Sequence, residues 1–589
     1  MEITLKTMTT PDYLVIVAYV ITLVWIGVFF SKYNRDIQDF FKGGSKLPWW
    51  VGGISAFMAG FSAWIFTGGA GVVYERGILG SLFLCNGVLG TYIAWLFLAK
   101  RWRRTRVTSM FEFVSSRFNL PTQQTLSWAF VPINLFYCSA VLLSLSIFVT
   151  ASLGISGINL QNLGLPLDVT ISGVQLTILF AGVIILTYCF FGGLLAVTSC
   201  DVLSFLVIIP IAVMIIPLML IKMGSVGDLF TTPANFRVPP EQSINPEPVT
   251  LFFVVMWLFS GIHSYNTNPI VQRYWSVSDE KQARKVALFC TGLFIFGVMV
   301  WSIPPLVMRH LMPFDKLAAM FGDLKAPAEG AYVSACLTVL PHGMIGVMFA
   351  AIFAASMSSI DSTLNFISGI FTNDIYRKAL NKDASPKHLL LVGRFSTLAI
   401  GLLAMALALA MSAHGGAFSW MIRFDEIATT PIVVPLILGL LFPRKGSMAA
   451  IITFFVGLIY NITVVALGME YKFIMFTSFL ITYTTFILSA YLLTDRQDKK
   501  ESIKEFFAKL DTPVDKEAEL GEAGIDQLSM LRFIGKLAVG TGVIISLMAL
   551  ISQPFGDRLI NLAGGAVVLG LGVSMIWMDR RSARRANKG

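Results

Sequence analysis

The residues best suited to chemistry lie in one apolar stretch, AAIFAASMSSIDSTLNFISGIFTNDIYRK, at residues 350–378. Polar side chains are concentrated there within ten residues: Ser356, Ser358, Ser359, Asp361, Ser362, Thr363 and Asn365. A hard cation stripped of water, such as sodium, needs the oxygen ligands that hydroxyls, carboxylates and free backbone carbonyls supply. At membrane depth such groups are costly unless they face partners inside a helix bundle. The cluster therefore predicts a monovalent cation site, with serines bonded back to their own helix carbonyls as the alternative.

The composition indicates that the elements positioning this cluster are membrane helices. Of the 589 residues, 56% are apolar and 13% are charged, and the mean hydropathy is +0.74, values that exclude a soluble globular protein. About twenty apolar residues cross a bilayer as a helix. We therefore predict an all-α polytopic membrane protein with about fifteen spans, near residues 12–31, 47–73, 77–99, 123–152, 170–191, 193–221, 249–272, 286–310, 341–371, 388–412, 416–442, 448–468, 473–494, 533–553 and 558–578.

The distribution of Lys and Arg indicates the orientation of these spans. With the amino terminus outside, 33 of the 44 Lys and Arg residues fall in cytoplasmic loops and nine fall in the opposite loops. Cytoplasmic loops of membrane proteins carry this excess of positive charge. We therefore expect a multi-pass protein of the plasma or inner cell membrane, with the amino terminus outside and the carboxyl terminus in the cytoplasm. The net charge of +10 is then a topology signal, and we expect no nucleic-acid partner.

Two of the long spans, 47–73 and 249–272, are interrupted by residues that disfavour a continuous helix. The first is rich in glycine, which costs a helix interior about 1 kcal/mol relative to alanine, and the second contains GIHSYNTNPIVQR. Close packing through small residues is the alternative for either span alone. The second interruption follows five spans after the first and crosses in the opposite sense, which is typical of transporters built from inverted repeats. A broken helix also frees backbone carbonyls for a cation.

These features predict a core of two inverted five-helix repeats, each opening with a broken helix. The hydrophilic segment between the thirteenth and fourteenth spans is too short for a catalytic domain, and its residues 501–511 predict a short amphipathic helix. We interpret it as a cytoplasmic linker that could bind a cytoplasmic partner. The predicted organisation is an extracellular amino terminus with an added first span (1–46), a first repeat (47–221), a second repeat (249–442), two peripheral spans (448–494), a charged cytoplasmic linker (495–532) and two carboxyl-terminal spans with a basic tail (533–589).

Four motifs in this order resemble the sodium:solute symporter family. They are LPWW before the first broken span, GGLLAVTSCD at 192–201, the SS-x-DSTLN run that ends in FTNDIYRK, and TTPIVVPLILGLLFPRKGSMAA at 429–450. The resemblance covers roughly residues 10 to 495. It implies a leucine-transporter-like fold whose ten core helices are the second to eleventh spans, and it implies Na⁺ as the coupling ion.

The resemblance also implies which residues hold cations. The first sodium site of the family falls on two carbonyls at the first break and on three residues of the ninth span: Met58, Phe61, Ala355, Ser358 and Ser359. Relatives that bind a second sodium use positions that correspond here to Asp201, Ser358, Asp361 and Ser362. Asp361 stands where those relatives are expected to have serine.

Two carboxylates in one deep site cannot both be ionised cheaply, because like charges a few ångströms apart repel each other. Asp201 and Asp361 therefore predict either a second bound cation or a proton on one of the two. The alternative for Asp361 is a structural hydrogen bond to a neighbouring helix.

For the solute, we expect a cavity near the membrane midplane, lined by Ser62, Trp64, Ser260, His263, Asn266, Asn268, Trp420, Arg423, Asp425 and Glu426. Sugar-transporting relatives use a Gln and a Glu at positions that read about Ile65 and Leu84 here, which disfavours a hexose bound in that way. Proline-transporting relatives have an aspartate where this chain has Gly60. Arg423 with Asp425 and Glu426 predicts either a clamp for a carboxylate or an internal ion pair at a gate.

The predicted function is a sodium-coupled secondary active symporter that imports a small polar or organic-anion solute by alternating access. One alternative is proton coupling through Asp361, Asp201 or His263. Another is a membrane solute sensor built on a symporter-like domain. Enzyme activity is not expected, because the sequence has no HExxH, GxSxG or P-loop motif at a membrane face.

Overall fold

Helices make up most of the chain that the computed structural model describes, namely residues 5–31, 47–107, 109–159, 161, 170–191, 194–244, 249–322, 324–443, 446–493, 497–515, 527–551 and 553–586. Helix α1 spans Thr10–Ser31. The first repeat contains α2 (Trp49–Ala59), α3 (Ala70–Arg76), α4 (Ile78–Phe83), α5 (Asn86–Ile93), α6 (Ala99–Arg104), α7 (Met110–Arg117), α8 (Leu120–Leu153), α9 (Gly173–Phe191) and α10 (Leu194–Met223). Its shorter elements are two π-helical segments, Ile65–Gly69 and Ala94–Leu98, and the antiparallel strands β1 (Ile158–Asn159) and β2 (Thr170–Ile171).

The second repeat and the peripheral helices continue this pattern. The repeat contains α11 (Leu251–Ser264), α12 (Asn268–Trp275), α13 (Glu280–Leu311), α14 (Phe314–Met320), α15 (Ala331–Val339), α16 (Met344–Gly369) with its π-helical extension Ile370–Leu380, α17 (Pro386–Ser412) and α18 (Ala417–Leu441). The peripheral helices are α19 (Ser447–Ala466), α20 (Tyr471–Leu492), α21 (Gln497–Asp511), α22 (Gln527–Leu547) and α23 (Phe555–Ala586). Short 3₁₀ turns lie at Val226–Phe230, Pro240–Gln242, Pro327–Gly330 and Met548–Leu550.

The lengths of the helices agree with a polytopic membrane protein. Within the described residues, ten helices are long and apolar enough to cross a membrane, and five shorter apolar helices accompany them. The shorter ones include Trp49–Ala59 and Leu251–Ser264, which open the two repeats. The predicted count of fifteen spans and the exact domain boundaries remain predictions.

Polar caps define where several helices begin. Asn119 accepts a hydrogen bond from the backbone N–H of Thr122 at the start of α8, and Asp279 accepts from the backbone N–H groups of Lys281 and Gln282 at the start of α13. These side chains satisfy backbone donors that have no partner within the helix. The polar residues before the apolar runs therefore set the helix starts.

Helix α16 lies at the centre of the bundle and is buried along its whole length. It packs against α1, α8, α10 and α17. The outer faces of the surrounding helices instead carry exposed large apolar side chains, for example Phe395 and Leu403 on α17 and Ile459 on α19. Such a surface is suited to a hydrocarbon environment rather than to water. The polar cluster of α16 is consequently enclosed by protein on all sides.

The two predicted breaks are present, and they face each other. Helix α2 ends at Ala59, and the chain resumes as the π-helical segment Ile65–Gly69. Helix α11 ends at Ser264, and α12 begins at Asn268. A Cβ atom added to Gly60 would lie 3.0 Å from Cε1 of Tyr265, so a residue with a side chain would push the two breaks apart. The backbone carbonyls freed at the first break are held at the centre of the bundle.

The predicted linker contains helix α21, which includes the predicted amphipathic segment 501–511. Its carboxyl end is held by Arg104, the last residue of α6, and by Arg106 in the loop between α6 and α7. Arg104 Nη1 donates to Asp511 O at 3.0 Å, and Arg106 Nη1 donates to Lys509 O at 3.0 Å. Cationic donors are favourable at the carboxyl end of a helix. The linker is thereby attached to the end of the first repeat's second membrane span.

Candidate functional site

The first polar region surrounds Ser359, where α16 passes the end of α2. The Ser359 Oγ lies 2.9 Å from the carbonyl oxygen of Phe61, 3.2 Å from that of Met58 and 3.2 Å from that of Ala355. All four residues are buried. Four of the five predicted ligands of the first sodium site are thus neighbours in the structure.

The local sequence explains this convergence. At the break after Ala59 the carbonyl oxygen of Met58 accepts from the backbone N–H of Phe61 at 3.1 Å, a tighter turn than that of an α-helix. Ala355 precedes Ser359 by one helical turn. A hydroxyl has a single proton to donate, so it cannot satisfy three carbonyl oxygens at once. The cluster therefore retains unused lone pairs in a buried place, which is the chemistry that a dehydrated cation requires. The region carries no formal charge of its own.

The second polar region surrounds Asp201 of α10. Its carboxylate accepts hydrogen bonds from the hydroxyls of Ser358 and Ser55, and Arg273 Nη2 lies 3.6 Å from its Oδ2. Ser358, the remaining predicted ligand of the first site, therefore turns toward Asp201. The side chains of Asp201 and Arg273 have no solvent exposure. Asp201 already has a cationic partner from the protein itself.

Arg273 connects several parts of this region. Its Nε donates to Ser55 Oγ at 3.0 Å, and its Nη2 donates to Ser362 Oγ at 3.0 Å. Its Nη1 donates to the carbonyl oxygen of Pro269 at 3.0 Å and to Gln272 Oε1 at 3.2 Å. The structure thus brings Asp201, Ser358 and Ser362 together around a guanidinium group.

Asp361, the fourth residue predicted for the second cation site, has different partners. Its Oδ1 accepts a hydrogen bond from Asn365 Nδ2 at 3.0 Å. Its Oδ2 has no hydrogen-bond partner among the described residues, although the side chain is completely buried. The two carboxylates therefore do not share one set of donors.

A cavity of about 150 Å³ lies next to the first break. Ser62 and Trp64 line it, as predicted, and so do Ile65 and Leu84. The other polar and aromatic lining residues are Asn86, Asn134, Tyr137, Trp257, Ser264, Tyr265, Thr267, Trp301, Thr363 and Thr429. Its wall thus combines aromatic faces with amide and hydroxyl groups, a pattern typical of a small-molecule site.

Three other residues predicted for the solute site lie outside this cavity wall. His263 Nε2 is 2.9 Å from Tyr483 Oη, and the imidazole packs against Phe479, so it faces the peripheral helix α20. Ser260 donates to the Trp257 carbonyl at 2.9 Å. Asn266 donates to the carbonyls of Gly90 and Ile262. In the structure these side chains make contacts with neighbouring helices or their own backbone and do not line the cavity beside Ser62.

Of the α18 residues predicted for the solute site, the structure describes the side chain of Trp420. Trp420 Nε1 donates to the carbonyl oxygen of Met411 at 3.0 Å, which ties α18 to α17. The side chains of Arg423, Asp425 and Glu426, and that of Asn268 in α12, lie outside the described part of the chain.

Two functional residues escaped the sequence analysis. Arg273 was assigned to a cytoplasmic loop, because the predicted span ended at residue 272; helix α12 continues to Trp275, and Arg273 is buried. The signal that could have identified it is the buried carboxylate at Asp201, which requires a nearby cation. Ser55 could not be distinguished from the small packing residues around it.

Comparisons with known proteins identify relatives of this chain. The model of the sodium:solute symporter family matches residues 40–457. The chain is 27% identical to the sodium/glucose cotransporter of Vibrio parahaemolyticus over 476 residues, which are 75% of this chain and 82% of that protein. It is 25% identical to the sodium/sialic acid symporter of Proteus mirabilis over 426 residues, which are 70% of this chain and 79% of that protein.

Among solved structures, the chain is similar to a Na⁺-coupled sialic acid symporter in a substrate-bound, outward-open state. The TM-score is 0.65 at 21% identity, and the match covers 82% of this chain and 98% of that chain. The predicted fold class, an all-α membrane protein with two inverted five-helix repeats and broken first helices, is confirmed.

Proposed function

The chain belongs to the sodium:solute symporter family, and we propose that it uses sodium entry to import a small, uncharged polar solute by alternating access. Symport with Na⁺ as the coupling ion, in a multi-pass membrane protein that is not an enzyme, follows from the family. The identity of the solute, the residues of the ion site and the cellular membrane belong to the proposal.

The observation that carries the proposal is the position of Ser359 between the carbonyl oxygens of Met58, Phe61 and Ala355. These oxygens lie at the break of the first helix of the core, and the solute cavity begins at the neighbouring residue Gly60. A sodium ion held there would stabilise the break and, with it, one wall of the cavity. In this way sodium binding and solute binding would favour the same conformation. Ser358 would complete the ligand set by turning away from Asp201.

The cavity supports a small, uncharged solute. Its volume of about 150 Å³ is below the roughly 300–1,000 Å³ of clefts for drug-sized ligands. Trp64, Tyr265 and Trp301 offer flat apolar faces, and Asn86 and Asn134 add amide groups to the wall, of which Asn134 Nδ2 also donates to the carbonyl oxygen of Phe130 at 3.0 Å. This chemistry favours a sugar or polyol of modest size over an organic anion, although Ile65 and Leu84 exclude the hexose contacts implied by the sugar-transporting relatives.

The driving force is adequate for concentrative uptake. One unit charge entering down a potential of 100 mV contributes about 2.3 kcal/mol, which sustains a solute ratio of roughly fifty-fold before the sodium concentration gradient is added. One sodium ion per cycle is therefore sufficient to drive concentrative uptake of the solute.

Uptake into proteoliposomes tests this function. The panel contains glucose, myo-inositol, sialic acid, proline and acetate, each with an inward gradient of sodium or of potassium. We expect a neutral hydroxylated compound to accumulate with sodium only. Trp64→Leu should impair that uptake and preserve ²²Na⁺ binding, whereas Trp577→Leu, on an exposed face of α23, should affect neither. Accumulation of the acidic compounds alone would contradict the proposed solute class.

We also propose that the protein resides in the plasma or inner cell membrane with its amino terminus outside. The excess of Lys and Arg in alternate loops supports this orientation. Cysteines introduced at Thr7 and Ser582 should react oppositely with a membrane-impermeant reagent in intact cells, Thr7→Cys being labelled. Labelling of Ser582→Cys alone would reverse the orientation.

The predicted cytoplasmic partner of the 495–532 linker remains a proposal. Such a partner would compete with the loop arginines for the end of α21, because Arg106 Nη2 donates to Thr512 O at 3.3 Å. A cross-link between Arg106→Cys and Thr512→Cys should then be lost when cytoplasmic extract is added. A cross-link that forms equally well with extract would speak against a partner at this place.

A further inference from the structure

Ser356 of α16 holds the chain where it leaves the first break. Its Oγ accepts a hydrogen bond from the backbone N–H of Ala63 at 2.7 Å and donates to the carbonyl oxygen of Ile352 at 2.9 Å. Ser356 and Ala63 have no solvent exposure. Ala63 is the first helical residue after the break, so its N–H has no partner within its own helix. The hydroxyl of Ser356 therefore supplies the acceptor that this buried backbone donor needs.

The two partners of Ser356 distinguish it from other hydroxyls of the same helix. Thr363 donates to the carbonyl oxygen of Ser359 at 2.9 Å, and Ser368 donates to that of Asn365 at 3.1 Å. Such bonds to the preceding turn are common for hydroxyls in helices. In Ser356 a bond of this kind uses the single hydroxyl proton, which leaves the oxygen free to accept. The hydrogen bond that it accepts joins α16 to the chain beyond the break.

The residues next to Ala63 connect the sodium region with the solute cavity. The carbonyl oxygen of Phe61 lies 2.9 Å from Ser359 Oγ. The side chains of Ser62 and Trp64 line the cavity. Within four consecutive residues, the chain thus contacts the ion-binding helix through its backbone and the solute space through its side chains. A restraint on this backbone is consequently a restraint on the cavity wall.

We infer that Ser356 is a positioning residue that transmits sodium binding to the cavity wall. A cation beside the Phe61 carbonyl restrains one end of the short segment, and the hydrogen bond to Ala63 restrains its middle. Sodium and solute then favour the same arrangement of the wall. Without the Ser356 hydroxyl, sodium still binds, but the chain beyond Phe61 no longer responds to it. This inference deepens the proposed function and rests on it, because it requires sodium at the first break.

Hydrogen–deuterium exchange of the purified full-length protein in lipid nanodiscs tests this inference without a known solute. The measured quantity is the backbone exchange rate of a peptide covering residues 60–66, in KCl and in NaCl. We expect exchange to be at least about fivefold slower in NaCl, the lower end of typical couplings between two sites. Ser356→Ala should abolish this difference while ²²Na⁺ binding persists. Ser356→Thr keeps the hydroxyl oxygen and should keep the difference.

Two further variants serve as partner and control. Ala63→Pro removes the N–H donor at a helix start, where proline is tolerated, and should abolish the sodium effect in the same way as Ser356→Ala. It keeps the test decisive if Ser356→Ala folds poorly. Ser368→Ala removes a buried hydroxyl that donates to a carbonyl oxygen of its own helix, and it should leave the sodium effect unchanged.

The inference is overturned if Ser356→Ala speeds exchange equally in NaCl and KCl, because the hydroxyl then supports the fold without transmitting sodium binding. Loss of ²²Na⁺ binding in that variant would also overturn it and would place Ser356 in the sodium site itself. If the wild-type protein binds ²²Na⁺ but sodium leaves the peptide unchanged, only the inference fails. If the wild-type protein binds no ²²Na⁺, the proposed function fails, and the inference fails with it.

Discussion

The two polar regions supported by α16 hold charge in opposite ways. Around Ser359 the polar atoms are neutral oxygens, three of them backbone carbonyl oxygens within 3.2 Å of the hydroxyl. Around Asp201 the groups are fully charged, and Arg273 supplies the cation from within the chain. Ser358 and Ser359 are adjacent in sequence, yet each serves a different region.

Because of this difference, the Ser359 region is suited to exchanging an ion, whereas the Asp201 region is not. A shell of neutral oxygens leaves no buried net charge behind when a cation departs, which is why we propose this region as the place where sodium binds and leaves in each cycle. In the Asp201–Arg273 pair each buried charge is balanced by the other. The pair is costly to break, because either partner alone would be an unpaired buried charge. The first region is suited to coupling, and the second to holding α2, α10, α12 and α16 together.

The largest effect should follow from removing the internal cation. Arg273→Gln leaves Asp201 buried and unpaired, and losing one partner of a buried pair costs about 3–5 kcal/mol. We expect a strongly lowered thermal stability of the purified protein. The double variant Arg273→Gln/Asp201→Asn removes both charges and should recover most of it.

Arg104→Gln provides the matched comparison. It breaks a pair with Glu280 whose side chains are 10% and 11% exposed, and partial solvation should make its loss smaller than that of Arg273. Equal stability of Arg273→Gln and the wild-type protein would mean that Asp201 is balanced by something other than the guanidinium.

Sodium itself should stabilise the folded protein by a somewhat smaller amount. A ligand present at 100 times its Kd adds about 2.7 kcal/mol, so the melting temperature should rise with NaCl and not with KCl. The Arg273→Gln/Asp201→Asn variant should retain this shift, because the Ser359 region contains neither charge. Loss of the shift in that variant would show that the two regions act as one site.

Ser359→Ala should weaken sodium binding without unfolding the protein. It removes one oxygen from a dehydrated cation, a loss of about 1–3 kcal/mol by analogy with an unpaired buried polar group, so half-maximal ²²Na⁺ binding should need at least about fivefold more sodium. Ser368→Ala is the control, since that buried hydroxyl donates to the Asn365 carbonyl at 3.1 Å on the same helix. An unchanged sodium dependence in Ser359→Ala would remove Ser359 from the ligand set.

The sequence could predict the neutral region better than the charged one. A run of glycines indicates a helix break, and a dense group of hydroxyls at membrane depth indicates the helix that packs against it. The individual residues Met58, Phe61, Ala355 and Ser359 are implied only by the resemblance to the symporter family. The charged region depends on Arg273, and an arginine in a buried ion pair has the same sequence signature as an arginine in a solvated loop. A membrane span predicted from hydropathy therefore ends at such an arginine.

The sequence also could not predict which side of a helix faces the cavity. Helix α11 is apolar on nearly every face, so periodicity cannot distinguish the face toward the cavity from the face toward α20. His263 consequently meets Tyr483, while Trp257 on the same helix lines the cavity. Similarly, Ser358 and Asp361 are predicted as members of one cation site, but Ser358 donates to Asp201 of α10, whereas Asp361 accepts from Asn365 of its own helix.

The smallest expected effect distinguishes a protonated Asp361 from an ionised one. Neutral hydrogen bonds contribute about 0.5–1.5 kcal/mol, and those to charged groups about 1.5–3 kcal/mol. A double-mutant cycle of Asp361→Ala and Asn365→Ala, measured by thermal unfolding, isolates the interaction between the two side chains. We expect a coupling energy in the lower range, that of a neutral hydrogen bond.

The same cycle on Gln123→Ala and Asp374→Ala, whose side chains are 3.1 Å apart beside Lys378, should give the higher range, that of a hydrogen bond to a charged group. If the Asp361 cycle matches or exceeds the Asp374 cycle, Asp361 carries a negative charge, and its region resembles that of Asp201 rather than that of Ser359.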